Sequence, residues 1–122
     1  MASRPILSPQ QVITNGDMTS TVTSLVTILQ TTGKASYDIS WTGTPTGTFN
    51  VQVSNTYTQD SSGQPANPGN WTTLTLSAPT LASGSSGNGF IDVTVTGAYA
   101  IRLQYAATSG TGTLNATIAG KV

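Results

Sequence analysis

The sequence contains no cysteine, no histidine and no glutamate. Without thiols it has neither a disulfide framework nor thiolate metal ligands, and nothing in it reports a redox compartment. Without histidine it lacks the side chain best suited to proton transfer near neutral pH and the commonest zinc ligand. Charge is almost as scarce. Four basic residues (Arg4, Lys34, Arg102, Lys121) and four aspartates (Asp17, Asp38, Asp60, Asp92) make 7% of 122 residues and a net charge of zero, against roughly 25% in an ordinary domain. With no basic cluster there is no electrostatic footprint for nucleic acid. No apolar run approaches the ~18 residues of a membrane span. The stretch from Met1 to Pro9 carries one positive charge but no apolar region of signal-peptide length. Neither nucleic acid nor membrane is expected as a partner.

The same gaps leave little for catalysis. Asp38 and Asp92 both fall on the polar parity of alternating segments, and would form a carboxylate pair if their strands were neighbours. The plainer reading, two solvated aspartates or one of them loosely paired with Arg102, is preferred because exposed pairs contribute only about 0–1 kcal/mol. Neither lysine stands in a Ser-x-x-Lys setting. The aspartates are too scattered for a calcium loop, and the glycine-rich stretch Gly84–Gly89 lacks phosphate-loop spacing and a following lysine. It reads as a flexible loop. The Asn-x-Thr triplets at Asn70 and Asn115 are what a threonine-rich chain produces by composition, without a secretory context. No catalytic, cofactor-binding or metal-binding residue is expected.

What the chain has instead is 23 threonines, 14 serines and 13 glycines. The branched Cβ of Thr and Val suits a pleated strand, and turn residues recur at short intervals, as in a sandwich or barrel. A neutral polar surface repels copies of itself only weakly, which suits a protein in a dense assembly. The length fits one domain. Residues 1–19 lack periodicity and carry Pro5, Pro9 and an Asn15-Gly16 turn signal, so they read as an extended N-terminal arm, with residues 20–122 as the β-domain. Such an arm would reach about 60 Å at ~3.3 Å per residue.

Within the domain, residues 21–30 fit a strand or a short amphipathic helix, with the threonines and valines favouring a strand. Tyr37, Ile39 and Trp41 alternate with Ser36, Asp38 and Ser40. Phe49, Val51 and Val53 resume the alternation beyond the turn Gly43–Gly47, and the pair reads as a β-hairpin. Gln59 to Asn70 form a long polar loop of the kind that is often functional or mobile. Further strands are expected around Trp71, Leu74 and Leu76; around Ile91, Val93 and Val95; around Tyr99, Ile101, Leu103 and Tyr105; and around Leu114, Ala116 and Ile118. Seven short strands with brief connections imply an all-β, antiparallel, two-sheet β-sandwich with jelly-roll-like connectivity. Trp41, Tyr37, Tyr99 and Tyr105 are assigned to the core. Trp71, opening a strand after Asn67-Pro68-Gly69-Asn70, fits either a lid on the core or an exposed contact residue, and Tyr57 is a similar case.

Three segments carry a resemblance. Ser36-Tyr37-Asp38-Ile39-Ser40-Trp41-Thr42-Gly43-Thr44-Pro45-Thr46-Gly47-Thr48-Phe49, Asn67-Pro68-Gly69-Asn70-Trp71-Thr72, and Tyr99-Ala100-Ile101-Arg102-Leu103-Gln104-Tyr105 with the following Ser109–Ala116 resemble segments of small structural proteins of tailed bacteriophages. The likeness spans roughly residues 36–121 and leaves the N-terminal segment unmatched. It implies a virion component: a capsid decoration (cement) protein on the capsid surface, made in the host cytoplasm. Its partners would be the major capsid protein and further copies of itself, as a homotrimer or, second, a dimer. The alternative is a tail- or fibre-associated module that binds a receptor or glycan. Arg4, Ile6 and Leu7 on the arm, with Tyr57 and Trp71, are the candidate interaction residues.

Overall fold

The computed structural model describes residues 6–29, 34–75, 81–94 and 98–121. Among them the chain forms strands and no helix: β1 (Ile6–Asp17), β2 (Val22–Thr23), β3 (Thr27–Ile28), β4 (Lys34–Gly43), β5 (Thr46–Ser54), β6 (Thr58–Gln59), β7 (Pro65–Asn67), β8 (Thr72–Thr73), β9 (Leu81–Ser83), β10 (Gly87–Thr94), β11 (Ala100–Ser109) and β12 (Gly112–Lys121). One sheet has the order β1-β12-β4-β10. The other has the order β2-β11-β5-β8, with β3 also on β11 and β9 also on β5. The pairings are antiparallel. The expected all-β, antiparallel two-sheet sandwich is the observed architecture.

The alternation read in the sequence does its work across the gap between the sheets. Tyr37, Ile39 and Trp41 of β4, Leu114, Ala116 and Ile118 of β12, and Ile91 and Val93 of β10 face inward from one sheet; Phe49 and Val51 of β5 and Ile101, Leu103 and Tyr105 of β11 meet them from the other. Trp41 and Phe49 touch with ring centroids 5.2 Å apart, and Phe49 and Tyr105 at 4.9 Å. These tilted contacts are the arrangement aromatic quadrupoles favour.

Several expectations change at this level. The segment from Ser36 to Val53 supplies two strands but not a hairpin. β4 pairs with β12 and β10, whereas β5 pairs with β11, β8 and β9. The turn at Thr44–Pro45 is therefore an arch from one sheet to the other, which is why both strands point their aromatic parity at the same core. The arch between β11 and β12 lies against it: Thr44 donates its amide to Thr111 O at 2.7 Å.

The N-terminal segment read as an arm is, from Ile6 to Asp17, an edge strand on β12. Val12 and Ile13 are buried, and Met18 just beyond is fully enclosed. Three register shifts interrupt this pairing and destroy the period of two. Asn15 takes a positive φ of 50°, so the Asn-Gly signal is spent on a bulge rather than a turn. Residues 1–5 lie outside the described residues.

Residues 21–29 are two short strands on β11, separated at Ser24. Ser24 is buried; its amide donates to Leu103 O at 2.8 Å and its hydroxyl accepts from the Leu103 amide at 2.8 Å. The glycine-rich stretch read as a loop is partly strand, since Gly87, Asn88 and Gly89 pair with Trp41, Ser40 and Ile39. A Cβ at position 87 would meet the Trp41 ring at 2.9 Å. Tyr99, expected in the core, is 42% exposed because it lies in the bend before β11, where alternation has not begun. Leu76 and Val95 lie outside the described residues.

Candidate functional site

The polar loop Gln59–Asn70 is an ordered ribbon. β6 and β7 pair, and the Asp60 carboxylate ties the tip by accepting from the Ser62 hydroxyl at 2.7 Å, the Ser62 amide at 2.9 Å and the Gln64 amide at 3.0 Å. The Ser62 hydroxyl and the Gln64 amide are the largest influences holding the Asp60 carboxyl below its ordinary pKa. At its base, Ser54 Oγ accepts from the amides of Thr56 and Tyr57. Asn67 Oδ1 accepts from Gly69 at 2.9 Å.

This ribbon delivers Tyr57 and Trp71 to one corner. Tyr57 is buried rather than a surface contact, with its ring 5.7 Å from that of Trp71. Trp71 is half-buried and fixed by its Nε1 donating to Pro68 O at 2.8 Å. Trp71 lies against Tyr57 as a lid would, at intermediate burial. The sequence reading missed its third partner. The Arg102 guanidinium carbon stands 4.2 Å from the Trp71 ring centroid, a cation–π distance. Arg102 Nε donates to Gln52 Oε1 at 2.8 Å. Gln52 Nε2 in turn reaches Thr73 Oγ1 at 3.2 Å. Arg102, Gln52 and Thr73 lie side by side because Arg102 pairs with Gln52 and Gln52 with Thr73 across β11, β5 and β8. Partial burial lowers the Arg102 pKa, and the cation is held without a carboxylate contact among these partners. No local signal links positions 52, 71 and 102, since the sheet register alone brings them together.

On the opposite sheet, β4 and β10 are neighbours, as the carboxylate-pair reading required. Asp38, however, faces Phe90 and Asp92 faces Ser36, so the two acids are diagonal rather than opposite. Cross-strand diagonals lie about 7–8 Å apart, and both side chains are exposed. Arg102 is on the other sheet, so it pairs with neither. Phe90 stands beside Asp92, 65% exposed. An open depression of about 440 Å³ adjoins it, lined by Lys34, Ser36, Asp92, Ala119 and Gly120. Among the described residues no three acidic, histidine or cysteine side chains gather where a metal could bind. Of the arm candidates, Arg4 is outside the described residues. Ile6 and Leu7 contribute strand backbone opposite Lys121 and Gly120, and their side chains are outside the described set.

An antiparallel sandwich whose chain crosses repeatedly between a four-stranded and a six-stranded sheet is a scaffold class that serves many functions. No protein-family model matches this chain, and no curated protein matches it. Among solved structures it is similar to the SPBc2 prophage-derived protein YomS, with a TM-score of 0.50 and 11% identity over 98% of each chain. It also matches a cleaved adhesin domain of Lys-gingipain from Porphyromonas gingivalis, with a TM-score of 0.40 and 13% identity over 84% of this chain and 62% of that one. At these identities the likeness to YomS is one of fold.

Proposed function

We propose that this chain is a non-enzymatic structural protein of a tailed-phage particle, a decoration (cement) protein that sits between capsomers of the major capsid protein and strengthens the shell. The strand order is the observation that carries the reading. Following β1, β2, β4, β5, β8, β10, β11 and β12, the chain visits the two sheets in a sequence that we read as a jelly roll, an architecture used in viral capsid and lectin domains. The phage origin rests on the sequence motifs, and the fold shared with a prophage-derived protein points the same way. A surface poor in charge tolerates close neighbours in a lattice, because contact there desolvates few ions. With Ile6–Asp17 built into a sheet, the grip on the shell comes from sheet faces and edges rather than from a long arm. Copies of the chain occupy symmetry axes of the shell, three-fold or two-fold.

The test is occupancy. The purified chain is mixed with expanded capsids of the source phage that lack it, and binding is read by co-sedimentation and by the temperature of capsid disruption. Saturable occupancy at a fixed number per capsomer with a higher disruption temperature is expected; a chain left in the supernatant overturns the proposal.

The glycan-binding alternative gains the polar side chains of Gln52, Thr73 and Arg102 around Trp71. It loses the open aromatic face that sugar stacking needs, because Arg102 covers the indole. A selective hit on a glycan array, abolished by Trp71→Ala, would favour that alternative.

A further inference from the structure

Sheets end in edges, and an edge with unpaired amides and carbonyls recruits another strand unless something blunts it. Among the described residues this sandwich has four edges, and three are blunted. β1 carries Pro9, three register shifts and a residue at positive φ. On one side of the second sheet the edge is broken into β2 and β3, two residues each. On the other side it is broken into β8 and β9, of two and three residues. β10 differs from all of them. It pairs with β4 in unbroken register from Gly87 to Thr94, and Gly-Asn-Gly-Phe-Ile-Asp-Val-Thr contains no proline, lysine or arginine. Among the described residues its other side has no strand partner in the sheet order.

We propose that β10 is the self-association edge of this protein: two copies join β10 to β10 across a two-fold axis and merge their sheets into one of eight strands. The occupant is a second copy because the strand is complementary to itself. In an antiparallel pair the residues directly opposite each other share a face, so the two-fold axis passes beside one residue that meets its own copy. With the axis at Phe90, the exposed rings meet each other. Asn88 then faces Asp92 of the other copy on both sides, each carboxylate accepting from an amide, a charge-assisted bond. Shifting the axis by one residue in either direction sets Phe90 against Asp92 or against Asn88 and loses both matches. Asn88, Phe90 and Asp92 are all exposed, on the outer face of the sheet. The same argument selects a dimer over a trimer. A ring needs a second, different docking surface for each edge, and the other three edges are blunted. This inference does not depend on the decoration reading, and failure to bind capsids would leave it standing.

The native chain has no cysteine, so single cysteines report the register cleanly. Phe90→Cys is expected to cross-link to a dimer with a short bismaleimide. Asn88→Cys and Asp92→Cys, each some 13 Å from its own copy at about 3.3 Å per residue, cross-link only when the two variants are mixed. By sedimentation equilibrium at tens of micromolar, the 12.5 kDa chain is expected at twice its mass. Phe90→Lys should shift it to monomer with an unchanged far-UV spectrum. Asn88→Asp, which opposes two carboxylates, should weaken the dimer at least tenfold, and adding Asp92→Asn should restore it. A monomeric or trimeric wild type overturns the proposal, as does a dimer indifferent to Phe90→Lys and to the Asn–Asp exchange.

Discussion

Tyr37 and Tyr105 place their hydroxyls inside the sandwich with no hydrogen-bond partner. Burial pushes the pKa of both phenols up, and for Tyr37 the nearby Ser24 hydroxyl opposes that shift in part. Ser24 lies near but outside hydrogen-bond geometry with Tyr37, and its hydroxyl donates to Leu25 O and accepts from the Leu103 amide. An unpaired buried hydroxyl costs about 1–3 kcal/mol, so these residues are held for their rings, as the Phe49–Tyr105 contact illustrates. Tyr37→Phe and Tyr105→Phe are therefore expected to leave stability unchanged or raise it by about 1 kcal/mol in urea unfolding. Ser24→Ala should lower it by about 1–3 kcal/mol, because the buried Leu103 amide loses its acceptor. A clear loss in either phenylalanine variant would mean that its hydroxyl is paired, for instance by an internal water.

The decisive elements are the two arches. Gly43, at φ 94°, would bring a Cβ to 2.5 Å from Thr111 O, and a Cβ on Gly110, at φ 84°, would run into Thr44 O. Gly63 sits at nearly the same φ, 85°, at the tip of the β6–β7 ribbon with open space around it. The pair separates two costs. Gly63→Ala should lose about 1–2 kcal/mol from the left-handed backbone alone. Gly110→Ala should lose about 1–3 kcal/mol more from overpacking between the arches, as read by the midpoint of chemical unfolding; equal losses would mean that the arches separate without strain. Elements of this kind also mark the limit of what the sequence discloses. The strands around Tyr37–Trp41, Phe49–Val51 and Leu114–Ile118 were legible because their alternation is uninterrupted. Their partners were not, because Gly43–Gly47 looks the same whether it turns within a sheet or arches between two. β1 was hidden by its own bulges, which put Val12 and Ile13 side by side in the core. At the candidate site, Trp71 was legible as an aromatic beside a loop. Its cover by Arg102 depends on a register set by β5, and nothing local encodes it.

The whole molecule's response to pH follows from which groups it lacks and where it keeps the rest. No histidine is present, so no side chain has its ordinary titration between about pH 5 and 8. On the acid side, the Thr19 amide, then its hydroxyl, hold Asp17 below its ordinary pKa, and the ribbon tip does the same for Asp60. A lowered carboxylate contributes stability that is complete above its unfolded pKa and is lost as pH falls through the folded value, so weakening begins below about pH 4. On the alkaline side the sign reverses in direction but not in kind. Tyr37 and Tyr105 are held neutral by burial, the unfolded chain releases their protons from about pH 10, and between the two pKa values the unfolded state binds fewer protons than the folded one. Stability then falls by as much as about 1.4 kcal/mol per pH unit for each buried phenol. A plot of Tm against pH should run level from about pH 5 to 9 and drop at both ends. The Tyr37→Phe/Tyr105→Phe double variant should flatten the alkaline limb while leaving the acid limb in place. If both limbs survive in that variant, alkaline unfolding is driven by groups other than the two buried phenols.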